Sequence, residues 1–443
     1  MSNFVGIGML MLLIFLNSSQ HVFAQDSMSL EKAISLGLEK NFQIKIDDTN
    51  VQIAENNNTW GRAGRGVTVD LNGTANMSMT NDNNPASFLN GSYFVAGLGG
   101  SVDANWLVLS GGRIRVAKDQ LDLRVEQQKQ LQSVSAHNVI RDIIQSYYEV
   151  LLQQERLTVV EDLISLSQER LAYEESKKEF GASNSFNLLQ FHDAVLSDSV
   201  NIVSQINQIN IAKRRLYNLL SINADQNYLF PERLSVKVED IDLDELSVLL
   251  EEESPTIRSL MILEELNQLN TQLEQAARKP TLSINATAGL SEGYFKFFGD
   301  NPQTGEPIKG QFSNRMNIAV GANLNWNLTD GGVRSANIEN AKINEDISQL
   351  EIIEAKLQLT NQLHILAQNY EDQKVLLLLA DQQISLSERN LMISEERFKL
   401  GQISSIDYRA IQSQYLNTAF NKVNAIYNLL ISKSEIDWLV GVF

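Results

Sequence analysis

The sequence predicts an α-helical barrel joined to a transmembrane β-barrel. Each chain supplies four strands and long coiled-coil helices, and oligomerisation closes the wall. Three observations predict this fold. The phrase "WLVLSGGRIR", Trp106 to Arg115, returns as "WNLTDGGVRS", Trp326 to Ser335, at an offset of 220 residues. Upstream of each phrase, apolar residues alternate with polar or small ones, the period of a strand with one wet face. Downstream of each, apolar residues recur every seventh position, the period of packed helices.

Composition sets the outer limits. The chain has 443 residues, six Pro and no Cys. Few prolines favour long uninterrupted helices. Without Cys there is no disulfide framework, thiolate metal site or lipoprotein anchor. A net charge of −18 repels phosphate and argues against nucleic acid as a partner. The apolar run Phe4–Leu16, followed by Val22-Phe23-Ala24, reads as a signal peptide over residues 1–24. It is too short to span a bilayer comfortably. No other stretch approaches the length of a transmembrane helix, so membrane contact falls to strands or to helices lying on the surface.

The 220-residue offset extends beyond the opening phrase. "ISLS" at Ile164–Ser167 recurs at Ile384–Ser387, Phe180-Gly181 matches Leu400-Gly401, and Leu219 matches Leu439. A constant offset over so long a stretch indicates a duplication. It divides the chain into a first repeat over 25–240 and a second over 241–443.

Each repeat is expected to hold one hairpin, over 67–108 and over 281–328. In the second, Met316, Ile318, Val320, Ala322, Leu324, Trp326 and Leu328 alternate with Asn317, Asn323, Asn325 and small residues. In the first, Phe94, Leu98, Val102, Trp106 and Val108 alternate with Ser101, Asp103, Asn105 and small residues. A soluble sandwich is the competing reading. Long strands with an Asn-rich opposite face fit an outer-membrane barrel wall. Trp106 and Trp326 near the strand ends fit an interfacial aromatic belt. Asp103, Asn105, Asn323 and Asn325 then face the lumen. The glycine pairs Gly111-Gly112 and Gly331-Gly332 would absorb the change from strand to helix.

After each glycine pair a long helix is expected, over 112–180 and 332–400, each roughly 100 Å at 1.5 Å per residue. Ile143, Val150, Leu157, Ile164 and Leu171 mark the first seam. Leu363, Tyr370, Leu377, Ile384, Leu391 and Phe398 mark the second. Each helix ends at a short turn: Gly181, Ala182, Ser183, Asn184, Ser185 in one, and Gly401, Gln402, Ile403, Ser404, Ser405 in the other. The glycines fit C-caps. Ser185 and Ser405 fit N-caps, with Asp407 in the following first turn. Asn184 and Gln402 are expected to lie inside the turns without a capping role. Return helices follow over 186–221 and 406–440. Further helices are expected over Leu30–Asn56 and 253–278. The acidic stretch from Ile222 to Glu252 reads as a belt segment.

Four strands cannot close a barrel, and unpaired backbone in hydrocarbon is costly. Oligomerisation must complete the wall. A dimer would give a filled barrel and a trimer a water-filled one.

The stretch "SLEKAISLGLEKNFQI", Ser29–Ile44, resembles the opening helix of TolC-type outer membrane efflux proteins. The two Trp–Gly-Gly phrases resemble that family's strand-to-helix joint, and "ERFKLGQISSIDYRAIQSQY", Glu396–Tyr415, its helical tip. The resemblance covers residues 29–441. It implies a homotrimeric channel-tunnel in outer membrane lipid with a long periplasmic extension. Such a conduit serves a tripartite efflux or type I secretion system, receiving substrate from an inner-membrane pump through a periplasmic adaptor. The two turns, with Asn187 and Asp407 just beyond them, would be the tips that meet the adaptor. The chain departs from the pattern in having Asn187 where the second tip has Asp407. A periplasmic coiled-coil adaptor or stalk protein is the alternative. No catalytic residue, metal site or cofactor is expected: His137, His192 and His364 show no ligand spacing, and no nucleophile motif is present.

Overall fold

The computed structural model describes residues 26–83, 91–223, 225–226, 228–301 and 304–442. The signal segment lies outside them. Helices α1 (Leu30–Lys40) and α2 (Phe42–Asn57) open the described chain. They are followed by strands β1 (Val67–Asp82) and β2 (Gly91–Leu109), then helices α3 (Arg113–Glu179) and α4 (Ser185–Leu219). Helices α5 (Leu243–Glu253) and α6 (Pro255–Ala276) lead to strands β3 (Thr281–Phe298) and β4 (Gln311–Asn325). The last helices are α7 (Val333–Lys399) and α8 (Ser405–Val440). The fold class is the expected one: long helices with one four-stranded antiparallel sheet, ordered β1-β2-β3-β4.

Three helical segments differ from expectation. The Leu30–Asn56 helix is two helices, because Asn41 interrupts it. Its backbone N–H closes α1 on Gly37 O, its side-chain oxygen accepts from Gln43 N at 2.8 Å, and its amide donates to Leu219 O at 2.8 Å. Asn favours such side-chain-to-backbone bonds over helix continuation. The helix expected over 253–278 begins at Pro255, with Ser254 extended before it. The residue before Pro is driven out of the helical region, and Pro is well suited to the first helical position. The belt segment holds a helix the sequence reading did not anticipate, α5, whose Leu250 is buried.

The described chain forms two compact units. One comprises the residues up to Lys45, Ser135–Glu253 and those from Leu359 onward. The other comprises Ile46–Val134 and Ser254–Gln358. Each unit therefore draws on both halves of the sequence.

The helical unit has its core on the seven-residue seams. Ile143 and Val150 are buried, with Tyr147 and Leu151 beside them, against Leu216, Leu220 and Phe230. Leu363, Tyr370 and Leu377 pack with Leu250, Leu429, Ile436 and Leu439. Ile140, Ile144 and Val160 are buried too, so α3 presents more than one apolar seam. The Tyr147 hydroxyl donates to Met28 O at 3.1 Å and is pushed up in pKa by burial, with Glu232 adding to the shift. The segment from Val236 to Asp242 is pinned on α7: Tyr370 donates to Glu239 O at 3.0 Å, and Lys374 pairs with Asp240 at 2.8 Å.

The other unit carries the sheet. Its register is continuous over each neighbouring pair apart from an irregularity at Leu107/Leu109.

Candidate functional site

The sheet presents two chemically opposite faces. Directly opposed residues share a face. Asp103 stands opposite Asp70 and Thr287, and Asn105 opposite Thr68 and Asn285. Asn323 stands opposite Ser283, and Asn325 opposite Thr281. The four polar positions singled out from the sequence therefore share one face. There Asp103 accepts from Asn72 at 2.8 Å, Ser101 at 2.7 Å and Thr287 at 2.7 Å. On the other face, Trp106 stands opposite Val67 and Ile284, Val102 opposite Leu71 and Ala288, and Met316 opposite Leu290. Apart from Ile284, which is half-buried, these apolar side chains are exposed, Leu71 by 81%, and Val320 on the same face is exposed by 76%. A soluble sheet would cover them; lipid solvates them at no cost.

A second aromatic row lies at the far end of the same apolar face. The rings of Phe94 and Tyr294 are 6.3 Å apart, and those of Tyr294 and Phe312 4.7 Å apart. From Phe94 to Trp106 the strand runs about 40 Å at ~3.3 Å per residue. Tilted by ~40°, it rises about 30 Å, the thickness of a hydrocarbon core. The sequence reading found only the Trp end. The other row was legible in the parity of Phe94, Tyr294 and Phe312.

Both glycine pairs lie between a strand and a long helix. Gly111, Gly112, Gly331 and Gly332 all have positive φ, between 64° and 94°. Each pair is preceded by a helix-capping side chain that sequence reasoning missed. Ser110 Oγ accepts from Ile114 N at 3.2 Å. Asp330 accepts from Gly332 N at 3.2 Å, and from Arg334 N at 3.0 Å and Nε at 2.7 Å. A Ser or Asp before a helical run is a capping signal, here masked by the glycines between. The strand assignment of Trp326 is corrected. β4 ends at Asn325, opposite Thr281, where its partner β3 begins. Trp326 lies beyond the ladder and its indole N–H donates to Arg278 O at 3.2 Å. Trp106, by contrast, sits within β2.

At the turns, Gly181 and Gly401 have φ of 69° and 73°. Ala182 N donates to Lys177 O at 2.8 Å and Gln402 N to Arg397 O at 2.9 Å. These are the reaching-back bonds of a left-handed C-cap. The N-caps are Asn184 and Ser404, one residue earlier than expected. Asn184 Oδ1 accepts from Asn187 N at 2.8 Å, so Asn184 does cap. Ser404 Oγ accepts from Asp407 N at 3.1 Å, and the Asp407 carboxylate returns to Ser404 N at 3.3 Å. That reciprocal pair requires the three-residue spacing from 404 to 407, which Ser405 lacks. Ser405 is instead buried, its hydroxyl 3.4 Å from Asn187 Oδ1. Ser183 donates to Glu174 at 2.6 Å. Ile403 packs on a small core of Phe191, Phe398 and Tyr408. Ala182 and Gln402 remain exposed.

Near the turns the helices are tied by buried charge. Asp198 is fully buried, accepts from Ser167 at 2.6 Å, and is paired with Arg409, whose Nη1 lies 2.9 Å away. Arg170 pairs with Glu395, which also holds Lys399 at 2.7 Å. Burial pushes the Glu395 carboxyl up, but Lys399 and Arg170 outweigh it and hold the pKa below the ordinary value. The sequence did carry a signal: Asp198 continues the buried stripe of Phe191 and Ala194, and an acid on an apolar stripe needs a partner. Among the described residues, no group of acids and histidines is placed to hold a metal ion, and no helix is long and apolar enough to cross a membrane.

Residues 246–442 match the family model for outer membrane efflux proteins. The match covers less than half of the chain, and the likeness to that family is carried by the second half. Solved structures extend the likeness of fold to nearly the whole chain. A membrane protein from Pseudomonas aeruginosa matches with a TM-score of 0.73 at 14% identity, covering 94% of this chain and 91% of that one. The Campylobacter jejuni CmeC outer membrane channel matches at 0.71 and 17% identity, covering 93% and 85%. The open state of the Neisseria gonorrhoeae MtrE outer membrane channel matches at 0.67 and 16% identity, covering 93% and 88%. No curated protein matches. The chain is thus a channel-tunnel of the outer membrane with a periplasmic extension.

Proposed function

We propose that three copies of this efflux protein close into one passive conduit. It accepts substrate from an inner-membrane pump through a periplasmic adaptor. The observation that carries the reading is the open sheet. Its order leaves β1 and β4 as edges, and β4 is exposed along its whole length. An outer-membrane wall with open edges leaves backbone groups unsatisfied in hydrocarbon. Three such sheets give twelve strands, enough for a water-filled lumen lined by the Asp103, Asn105, Asn323 and Asn325 face. The helices support the same closure. Leu189, Leu196 and Val203 on α4 are exposed at seven-residue spacing, and so are Leu379, Leu386 and Ile393 on α7. Such stripes are coiled-coil seams awaiting a partner.

In this reading Trp106 and Trp326 anchor the inner interface. The two turns, from Gly181 to Ser185 with Asn187 and from Gly401 to Ser405 with Asp407, dock the adaptor. Two measurements test it. The purified protein should run as a trimer on unheated gels and by light scattering in detergent. Replacing the exposed, non-capping Ala182 and Gln402 by Arg should leave that trimer intact and abolish export of a pump substrate. A monomeric detergent-solubilised protein sinks the closure. Normal export by the Arg variants reduces the tips to chain reversals.

A further inference from the structure

The apolar face of the sheet also carries charge. Glu292 stands opposite Leu98 and Asn314, and Lys296 stands opposite Phe94. Both therefore share the face of Trp106, Val102 and Met316, the one that meets lipid. A passive conduit has no use for charge on its outer wall. We propose that this face holds a site for lipid A, the acylated and phosphorylated glucosamine lipid of the outer leaflet. Its phosphate lies at Lys296, the donors of its acyl linkages lie at Glu292, and an acyl chain lies in the groove beside them.

The groove is the first observation. Ala75 and Ala96 are its small residues, Met77, Leu98, Tyr294 and Phe312 its large ones, and Glu292 lies among them; its volume is about 450 Å³. Against a flat wall an acyl chain touches protein along one side. In a furrow it touches on three, and the dispersion contacts add.

Depth is the second. Ile284 stands opposite Trp106, and Glu292 lies eight residues further along β3. At ~3.3 Å per residue and a tilt of ~40°, that places it about 20 Å above the Trp106 row. The apolar band of such a wall is ~25 Å tall. The carboxylate thus sits inside the band, beneath the aromatic pair of Tyr294 and Phe312. Among the described residues Glu292 has neither an ion pair nor a hydrogen bond. An unpaired acid facing hydrocarbon is costly and marks a functional site with a partner. With none in the protein, the partner comes from the lipid.

The order of the charges is the third, and it selects the lipid. Lys296, whose Nζ lies 5.3 Å from the Phe298 ring centre, is four residues beyond Glu292. By the same rise and tilt it lies about 10 Å further out. The site therefore asks for an anion outermost and hydrogen-bond donors beneath it. Lipid A has that order: phosphate on the sugar, then amide N–H and hydroxyl groups where the acyl chains join. A glycerophospholipid does not. Beneath its phosphate lie ester carbonyls, which only accept and leave Glu292 unpaired. The ammonium of phosphatidylethanolamine lies outside its phosphate, at the wrong end for Glu292. The groove belongs to the sheet of one chain, so this site does not depend on how copies assemble.

The test is lipid titration. The full protein is stripped of lipid in detergent, titrated with lipid A or with phosphatidylethanolamine, and weighed by native mass spectrometry. Lipid A should bind saturably, one molecule per chain, and about tenfold more tightly than phosphatidylethanolamine, the margin one hydrogen bond to a charged group supplies. Glu292→Leu and Lys296→Gln should each weaken lipid A by about tenfold for the same reason. Neither should alter binding of phosphatidylethanolamine through Glu292. Glu292→Leu removes a charge from an apolar face and does not threaten the fold. Lipid A freed of its phosphates should bind the parent and Lys296→Gln alike, and Met316→Leu, on the same face outside the groove, should change nothing. Unchanged lipid A affinity in Glu292→Leu or in Lys296→Gln overturns the proposal. So does phosphatidylethanolamine bound as tightly as lipid A, or uptake of lipid A that never saturates, which is bulk lipid contact.

Discussion

The two halves write the same joint and surround it differently. Gly111 and Gly331 occupy equivalent places and have nearly the same φ, 64° and 70°. A Cβ on Gly111 would lie 2.4 Å from the Lys279 Cβ and 3.0 Å from Ala276 O. A Cβ on Gly331 would meet nothing within 4 Å. The second joint needs glycine for its backbone alone; the first needs it for backbone and space. The helix interiors diverge as well. Asp198 is buried with Arg409, whereas its equivalent, Thr418, is buried with its hydroxyl on Gln414 O at 2.9 Å. At the turns, Ser404 and Asp407 form a reciprocal cap, while Asn184 caps alone over Asn187. Duplicated sequence thus preserves conformation, and the neighbours then set what each copy can tolerate.

The largest effect should fall on the buried charge. Asp198→Ala leaves the Arg409 guanidinium without its carboxylate, at a cost of about 3 kcal/mol. Thr418→Val, at the equivalent place, should cost well under half of that. Thermal unfolding of the purified protein reads both, and equal losses would show that the pair contributes no more than packing.

The joints come next. Gly331→Ala should cost about 1–2 kcal/mol, the strain of a left-handed alanine. Gly111→Ala should cost that plus about 1–3 kcal/mol of overpacking against Lys279 and Ala276. The comparison of midpoints fails if the two variants behave alike.

The smallest difference lies at the turns. Ser404→Ala should cost about 1 kcal/mol of capping. The bond from the Ser404 hydroxyl, then that from its backbone N–H, holds the Asp407 carboxyl below the ordinary range. A depressed carboxylate stabilises above its unfolded pKa and loses that contribution as pH falls through the folded one. Amide protection in the first turn of α8 should therefore fall on acidification to the carboxylate range. The first turn of α4, with neutral Asn187, should show no such step. Identical acid responses at both tips would remove Asp407 as the cause.

Much of this was legible because it rests on periodicity. Alternation along β2 and β4 and the seven-residue seams on α3 and α7 report which face is apolar, whatever lies across from it. The glycine pairs were legible for a related reason, since a strand-to-helix bend needs φ values that only glycine adopts freely. The caps at Asn184 and Ser404 fall one residue before the expected positions, because residues able to cap stand side by side in "GASNS" and "GQISS". Hydrogen-bond reach from 404 to 407, rather than residue type, chose between neighbours.

The sequence by itself determined the strand and helix periods, the two-faced wall and the repeated joint, because each is a local pattern set by backbone geometry and solvent. Only the tertiary structure decided that Asp198 meets Arg409, that Gly111 is crowded while Gly331 is open, and that Trp326 falls past the end of its strand. Those facts depend on which distant residues arrive beside one another. The ladder ends at Asn325 because Thr281, 44 residues earlier and bonded to Asn325 O, begins β3, and no pattern around Trp326 carries that information.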